Sequence, residues 1–361
     1  MKKSSKIALF IGIILAGIGV FSAGILVGQY LVPIGEQPGL LGPAKPLPTP
    51  LVQYTIPELQ KRVYTPSSIT VEKELEAFPK YTAYLFSYRT LGRKMTGQLN
   101  IPKPEIVPTP ASKRPVIVML RGYVDAEIYK TGVGTRPAAE VFAENGYVTV
   151  APDFFGFGES DKPSLDWEER FEKPAAMIEL IQSLRQHPAV EWEGEKTALA
   201  PEHVGIWAHS NGGQIALTVL EAMKEPIPTT LWAPVTAPFP FSILFFSDEP
   251  ADEGKSMRQS LALFEKAYDA QKFSLTQYIS ELQGPLQLHQ GTADDAVPVE
   301  WSNAFRDKIV NENKVRKASD SAKPIELTYF TYPGSDHNLR PAWDSVIQRD
   351  LAFFAKYLQS N

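Results

Sequence analysis

From Pro115 onward, uninterrupted apolar runs alternate with helix-like segments, and no other property of the chain restricts its possible folds as tightly. Pro115 to Leu120 reads PVIVML, as expected for a strand covered on both faces. Arg136 to Asn145 is expected to form a helix ending at Gly146, and Tyr147 to Ala151 the next buried strand. The pattern continues with a helix over Lys173 to Gln186, a strand over Val204 to Ala208 and a helix over Gln214 to Lys224. Short strands follow at Thr230 to Trp232, Leu286 to His289 and Glu326 to Phe330, and Val346 to Gln359 closes as a helix. Alternation of this kind predicts an α/β fold built on a doubly wound, mostly parallel sheet. Upstream, Tyr81 to Tyr88 and Lys94 to Ile101 alternate as strands about Leu91-Gly92-Arg93, which is a hairpin signal.

One segment breaks the rhythm. Phe239 to Gln283 is rich in aromatic residues, among them Phe241, Phe245, Phe246, Phe264 and Tyr268. Two readings fit it, a small helical cap over a pocket and a plain packed insertion.

The N-terminus follows other rules. Lys2, Lys3 and Lys6 precede a run from Ile7 to Gly35 that holds no charged side chain, and about 20 apolar residues suffice to cross a bilayer. The run is long for a signal peptide and lacks a clear small-residue cleavage site, so an uncleaved anchor over 7–32 is expected after a cytoplasmic basic segment, 1–6. Lysines before the run and Glu36 after it direct the rest of the chain to the extracytoplasmic side. Gly24 and Gly28 have G-x-x-x-G spacing, which alone predicts no oligomer. Pro33 to Pro66 carries eight prolines, so 33–67 is expected to act as a semi-rigid spacer and the folded domain to occupy 68–361, with 239–283 inserted.

Beyond the three leading lysines the chain carries 33 basic and 41 acidic residues, a balance that disfavours nucleic acid as a partner. With 43% hydrophobic and 21% charged residues, disorder throughout is excluded. The absence of cysteine removes disulfides, thiolate nucleophiles and cysteine metal sites, and no metal or cofactor is expected.

Val204 to Gly213 reads VGIWAHSNGG, a buried strand running into a sharp turn with Ser210 at its apex. A strand that turns abruptly into a helix strains the apex residue, so its neighbours two before and two after must be small; here they are Ala208 and Gly212. A serine hydroxyl becomes a nucleophile only when a base takes its proton, and a carboxylate must orient that base. Asp294 lies just past a strand in HQGTADDAVP, with Asp295 as its rival, and His337 lies just past another strand in YPGSDH. His337 is the only histidine beyond that acid; His187, His203 and His289 read as structural, and His209 cannot turn to serve its own neighbour. An oxyanion needs two preorganised N–H donors. The Asn211 amide follows the nucleophile, and the Tyr123 amide, after Gly122 on the loop leaving the first long apolar strand, is the second candidate.

As a set these residues resemble the α/β-hydrolase superfamily, and most of all the catalytic domain of prolyl-oligopeptidase-type serine peptidases and related esterases. The resemblance runs from about Ser68 to the C-terminus and rests on the hairpin and first strand to Gly122, Pro152 to Asp161, the elbow at Ser210, Gly291 to Pro298, and His337. It implies that Asp294, third after the glycine of its loop, is the acid, and that Asp153 to Asp161 lines the site. Two departures stand out: Arg121 where many members have histidine, and Ala208 where most have glycine. No propeller is expected ahead of the domain, so peptide specificity does not carry over with the fold.

The expected function is that of a membrane-anchored serine hydrolase forming an acyl-Ser210 intermediate on a small ester or short peptide. A dienelactone-hydrolase-like activity and a non-catalytic surface binding protein that keeps the fold are the alternatives.

Overall fold

Strand β4 (Arg114–Leu120) lies between β5 (Val148–Pro152) and β7 (Glu195–His209), parallel to both, and this arrangement sets the site. The computed structural model describes residues 49–106, 113–163, 167–247, 252–319 and 322–359. The segments expected as the basic N-terminus and the anchor lie outside them, as does the first part of the spacer. Among the described residues, no helix is long and apolar enough to cross a membrane.

The sheet runs β1 (Thr70–Ala77), β2 (Tyr81–Thr90), β3 (Arg93–Pro102), β5, β4, β7, β8 (Thr229–Trp232), β9 (Leu286–Gly291), β10 (Leu327–Tyr332), while β6 (Ala189–Trp192) pairs with the first part of β7. From β5 to β10 every pairing is parallel; β1, β2 and β3 add an antiparallel edge. The β2–β3 turn uses Leu91 and Gly92, both with positive φ (51° and 77°), the pair of conformations a two-residue hairpin turn needs. Glu193 and Gly194 repeat it between β6 and β7 (51° and 85°), in a hairpin the apolar pattern does not announce.

Besides a four-residue helix at Phe241–Leu244, the described residues form helices α1 (Ile56–Lys61), α2 (Arg136–Glu144), α3 (Glu168–Gln186), α4 (Asn211–Met223), α5 (Lys255–Ala267), α6 (Val299–Ser319) and α7 (Trp343–Leu358). Helices α2 and α7 share a core with the sheet that includes Ile117, Met119, Phe142, Trp207, Phe353 and Phe354. Phe142 meets Phe354 edge-on at 5.4 Å. Gly205 allows the close approach of α7, because a Cβ there would press on Phe354 and Leu358. Helices α3 and α4 pack on each other, and α1 packs on α4.

Several boundaries differ from the sequence pattern for physical reasons. Packing begins before Ser68: Leu51, Tyr54, Ile56 and Leu59 are buried, and Tyr54 donates a 2.7 Å hydrogen bond to Glu168. Helix α3 starts at Glu168 and runs through Pro174, whereas proline suggests a start at Lys173. Its first turns carry Glu168 and Glu172 inward, where Arg93 pairs with both. Helix α6 buries the narrow stripe Trp301, Phe305 and Ile309 beneath many charged residues.

The aromatic insertion is divided. Ile243–Asp269 belongs to one compact unit, while Leu51–Ser242 and Ala270–Asn361 form another. In the first, α5 starts after Gly254, whose positive φ (73°) opens it, and Asp252 accepts the Gly254 and Ser256 amides at 2.9 Å each. Phe264 and Tyr268 stack at 4.7 Å near its end.

Candidate active site

The connection leaving β4 runs to β5 on one side and the connection leaving β7 runs to β8 on the other, so a crevice opens beyond the carboxyl ends of β4 and β7. Ser210 stands there. Strand β7 ends at His209 and α4 begins at Asn211, so Ser210 makes the turn alone, with φ 57° and ψ −122°. Such a backbone costs a non-glycine residue about 1–3 kcal/mol and persists only where the surroundings fix it. Three hydrogen bonds do so. The Ser210 amide donates to the Trp232 carbonyl (2.9 Å), and the Ser210 carbonyl accepts the Gly213 and Val235 amides (2.9 and 3.0 Å). A Cβ on Gly212 would collide with the Leu120 carbonyl, and one on Gly213 with Pro234. Ala208 is fully buried and pairs with Leu120 on one side and Leu231 on the other, so its methyl group fits the sheet without opening the turn.

Asp294 and His337 come together on neighbouring loops after β9 and β10. His337 Nδ1 lies 2.9 Å from Asp294 Oδ2 and 3.1 Å from Oδ1. The Asp294 carboxylate also accepts the Ala296 and Val297 amides (3.0 and 2.8 Å) and the Gln290 side-chain amide (2.9 Å). Burial alone would raise this carboxyl; the hydrogen bonds from His337, Val297 and Ala296 outweigh it and hold the group below its ordinary value. An ionised carboxylate can only accept, so Nδ1 carries the imidazole proton and the lone pair of the neutral ring sits on Nε2. Asp295, the sequence rival, is exposed.

The two loops are fastened to each other. Ala293 donates to the Ser335 carbonyl and Thr292 to the Tyr332 carbonyl, both at 3.0 Å, and a Cβ on Gly291 would collide with the Ser335 carbonyl. Asp336 accepts the Asn338 and Arg340 amides at 2.9 Å each, which fixes the turn that carries His337.

His209, which the sequence sets aside, ties the elbow to this loop. Its Nε2 lies 3.0 Å from the His337 carbonyl, and the two rings are 4.7 Å apart. Burial, with His337 close by, lowers His209 to about 4. The ring is therefore neutral at pH 7 and donates from Nε2. Among the described residues no hydrogen bond joins Ser210 Oγ to His337; catalytic contacts are often long before substrate arrives.

On the opposite side Gly122 lies against the serine. A Cβ built on it would stand 2.9 Å from Ser210 Cβ and 3.4 Å from Oγ. The Tyr123 amide follows directly and makes no hydrogen bond to another described residue, while its side chain is 74% exposed and donates to Asp125. Asn211 occupies the first position of α4, where helix amides lack intrahelical acceptors and the helix dipole is positive. Of the other histidines, His187 is exposed and His289 is buried in a network of its own. Sequence reasoning also passes over Gln290, whose side chain reaches the acid from the end of β9; only its place beside Gly291 could have marked it.

A sequence profile of the prolyl oligopeptidase family matches residues 134–361, more than half of the chain. No curated protein matches the chain in sequence. Among solved structures, an acetyl xylan esterase from a Paenibacillus species superimposes with a TM-score of 0.59 at 15% identity, covering 84% of this chain and 92% of that one. Acetyl xylan esterase 1 from a Thermoanaerobacterium species gives 0.57 at 13% identity, covering 85% and 95%. A puromycin-hydrolyzing peptidase of Mycobacterium tuberculosis gives 0.57 at 17% identity, covering 79% of this chain but only 41% of the peptidase. At these identities the likeness is one of fold, an α/β-hydrolase sheet.

Proposed function

Because the chain belongs to the prolyl oligopeptidase family and is a serine hydrolase, we propose that Ser210 is its nucleophile, His337 its general base and acid, and Asp294 the carboxylate that orients the base. In this reading His337 Nε2 takes the Ser210 proton as Oγ attacks the substrate carbonyl carbon. The tetrahedral oxyanion is held by the Asn211 and Tyr123 amides. Collapse expels the alcohol or amine, which leaves with the proton from His337, and acyl-Ser210 remains. Water then attacks the acyl carbon, giving up a proton to His337, and the acid departs as Oγ recovers that proton.

The observation that carries the reading is the Asp294–His337 pair, which commits Nδ1 to the acid and leaves Nε2 free of it, on a loop that meets His209 next to the strained serine. Small acyl esters come first among substrates and short peptides second, because the acetyl xylan esterases are matched over nearly their whole length and the peptidase over less than half of its own. The test is turnover of p-nitrophenyl acyl esters against aminoacyl p-nitroanilides by the native chain and Ser210→Ala. The expected result is ester turnover that Ser210→Ala abolishes; equal turnover by both proteins contradicts the assignment.

The uncharged run from Ile7 to Gly35, with lysines before it, supports a further part of the same reading: 7–32 as a membrane anchor, the proline-rich residues from 33 up to the first packed turns at Leu51 as a spacer, and the catalytic domain outside the cytoplasm. Full-length protein should resist extraction from membranes by alkaline carbonate and be digested by protease added to intact cells. Release by carbonate, or protection from protease until lysis, contradicts this placement.

A further inference from the structure

Arg121 directly follows β4 and is only 4% exposed, an unusual place for a guanidinium. Its two terminal nitrogens are directed at backbone, while Nε is buried without a hydrogen-bond partner among the described residues. Nη1 donates to the Gly122 carbonyl and Nη2 to the Asp153 carbonyl, each at 3.0 Å. Its charge faces three aromatic rings, with the Phe157, Tyr129 and Phe154 centroids 4.3, 4.6 and 5.0 Å away.

The cage around it is itself braced. Tyr129 and Phe157 meet edge-on at 5.1 Å. Tyr129 donates to Asp153 Oδ1 at 2.6 Å, while Thr96 and Thr131 donate to Oδ2 at 2.6 and 3.1 Å. A buried cation held by two carbonyls and three rings does not wander.

The Gly122 carbonyl and the Tyr123 amide belong to one planar trans peptide and point in opposite directions. Fixing the carbonyl therefore fixes where the N–H points. This peptide adjoins the serine, since a Cβ placed on Gly122 would stand 3.4 Å from Ser210 Oγ. We propose that Arg121 is a positioning residue for the oxyanion: the caged guanidinium grips the Gly122 carbonyl and so aims and polarises the Tyr123 amide toward the developing charge. The inference rests on the reading of Ser210 and the Tyr123 amide given above. A charge-assisted bond on the carbonyl side makes the same peptide a better donor on its N–H side, and Arg121 is a departure from the histidine expected at this position.

The test compares the native chain with Arg121→Met and Arg121→Lys, using ester turnover and the affinity of an alkyl boronic acid. A boronic acid adds to the serine and places an oxygen where the oxyanion forms. Arg121→Met should lose about 10- to 100-fold in kcat, with KM within about threefold, and should bind the boronic acid more weakly by a matching factor. Should Arg121→Met fail to fold, Arg121→Lys fills the cage with a cation lacking the planar fork, and a loss of at least fivefold in both kcat and boronic acid affinity is expected. A folded variant with native kcat, or one whose KM rises while boronic acid affinity is unchanged, overturns the proposal. Ser210→Ala run in parallel separates the two levels: retained activity there defeats the nucleophile assignment, whereas native-like Arg121 variants beside an inactive Ser210→Ala defeat the positioning role alone.

Discussion

His337 and His289 each meet an aspartate at nearly the same distance, 2.9 Å to Asp294 and 3.0 Å to Asp350, yet their surroundings differ in every respect that matters for chemistry. His289 uses both ring nitrogens, Nδ1 with the Tyr332 hydroxyl at 2.7 Å and Nε2 with Asp350. Asp350 also accepts Trp232 Nε1 at 2.6 Å and Gln287 at 2.9 Å, and the side chains of both His289 and Asp350 are fully buried. That network ties α7 to β8, β9 and β10. His337 spends one nitrogen on its acid, and its side chain stays 19% exposed at the crevice. The contrast teaches that a histidine–aspartate pair becomes a base only where the second nitrogen is left for substrate or nucleophile; where both are engaged, the same pair joins elements.

The strongest way to break this comparison is to neutralise each acid in turn. Asp294→Asn should lower kcat/KM by about 10³- to 10⁴-fold, because the amide no longer enforces a proton on Nδ1, an effect on turnover far beyond what the accompanying loss of stability explains. A loss of less than tenfold in turnover would remove Asp294 from its role. Asp350→Asn should behave in the opposite way. Replacing an acceptor that serves three donors should cost about 1–3 kcal/mol of stability in urea unfolding, with turnover per folded molecule within twofold of native. A large loss of turnover at unchanged stability would erase the distinction between the pairs.

His209 sharpens the comparison through pH. Its folded value, about 4, lies below the ordinary 6.5, so between these values the unfolded chain binds more protons and stability falls as the solution is acidified. The contribution is complete above 6.5 and lost toward pH 4. His209→Gln should remove up to one proton from the pH dependence of unfolding across that window; an unchanged slope would show that the ring already titrates normally in the folded state. The smallest effect is expected at Asp295→Asn. Its side chain is exposed beside the acid loop, so turnover should stay within twofold of native, and a loss comparable to that of Asp294→Asn would reverse the assignment of the acid.

The parallel part of the sheet was legible because strands buried on both faces spell continuous apolar runs, as at Val116 to Leu120 and Val204 to Ala208. The elbow was legible for a different reason, since its turn leaves no room beside Gly212 and Gly213. Strand β1 was not, because an edge strand reading TVEKELEA exposes most of its side chains and has no apolar face to display. The start of α3 was hidden by long-range pairing: Glu168 and Glu172 look like a solvated turn until Tyr54 and Arg93, distant in sequence, cover them. Asp294 was favoured over Asp295 only through its place after Gly291 in the family resemblance; in the structure the His337 contact, the Ala296 and Val297 amides and Gln290 single it out. The link from His209 to the His337 carbonyl joins residues far apart in the chain and leaves no local signature.

The central claim is that Ser210 is activated by the His337–Asp294 pair and not by the His289–Asp350 pair. It is tested most directly by reacting the native chain, Ser210→Ala, His337→Ala and His289→Gln with a fluorophosphonate and following the modified peptide by mass spectrometry. The account predicts a single adduct on the peptide containing Ser210, none in Ser210→Ala, labelling slowed by at least about 10³-fold in His337→Ala, and near-native labelling of folded His289→Gln. An adduct on another residue, equal labelling of Ser210→Ala, or rapid labelling of His337→Ala would contradict it.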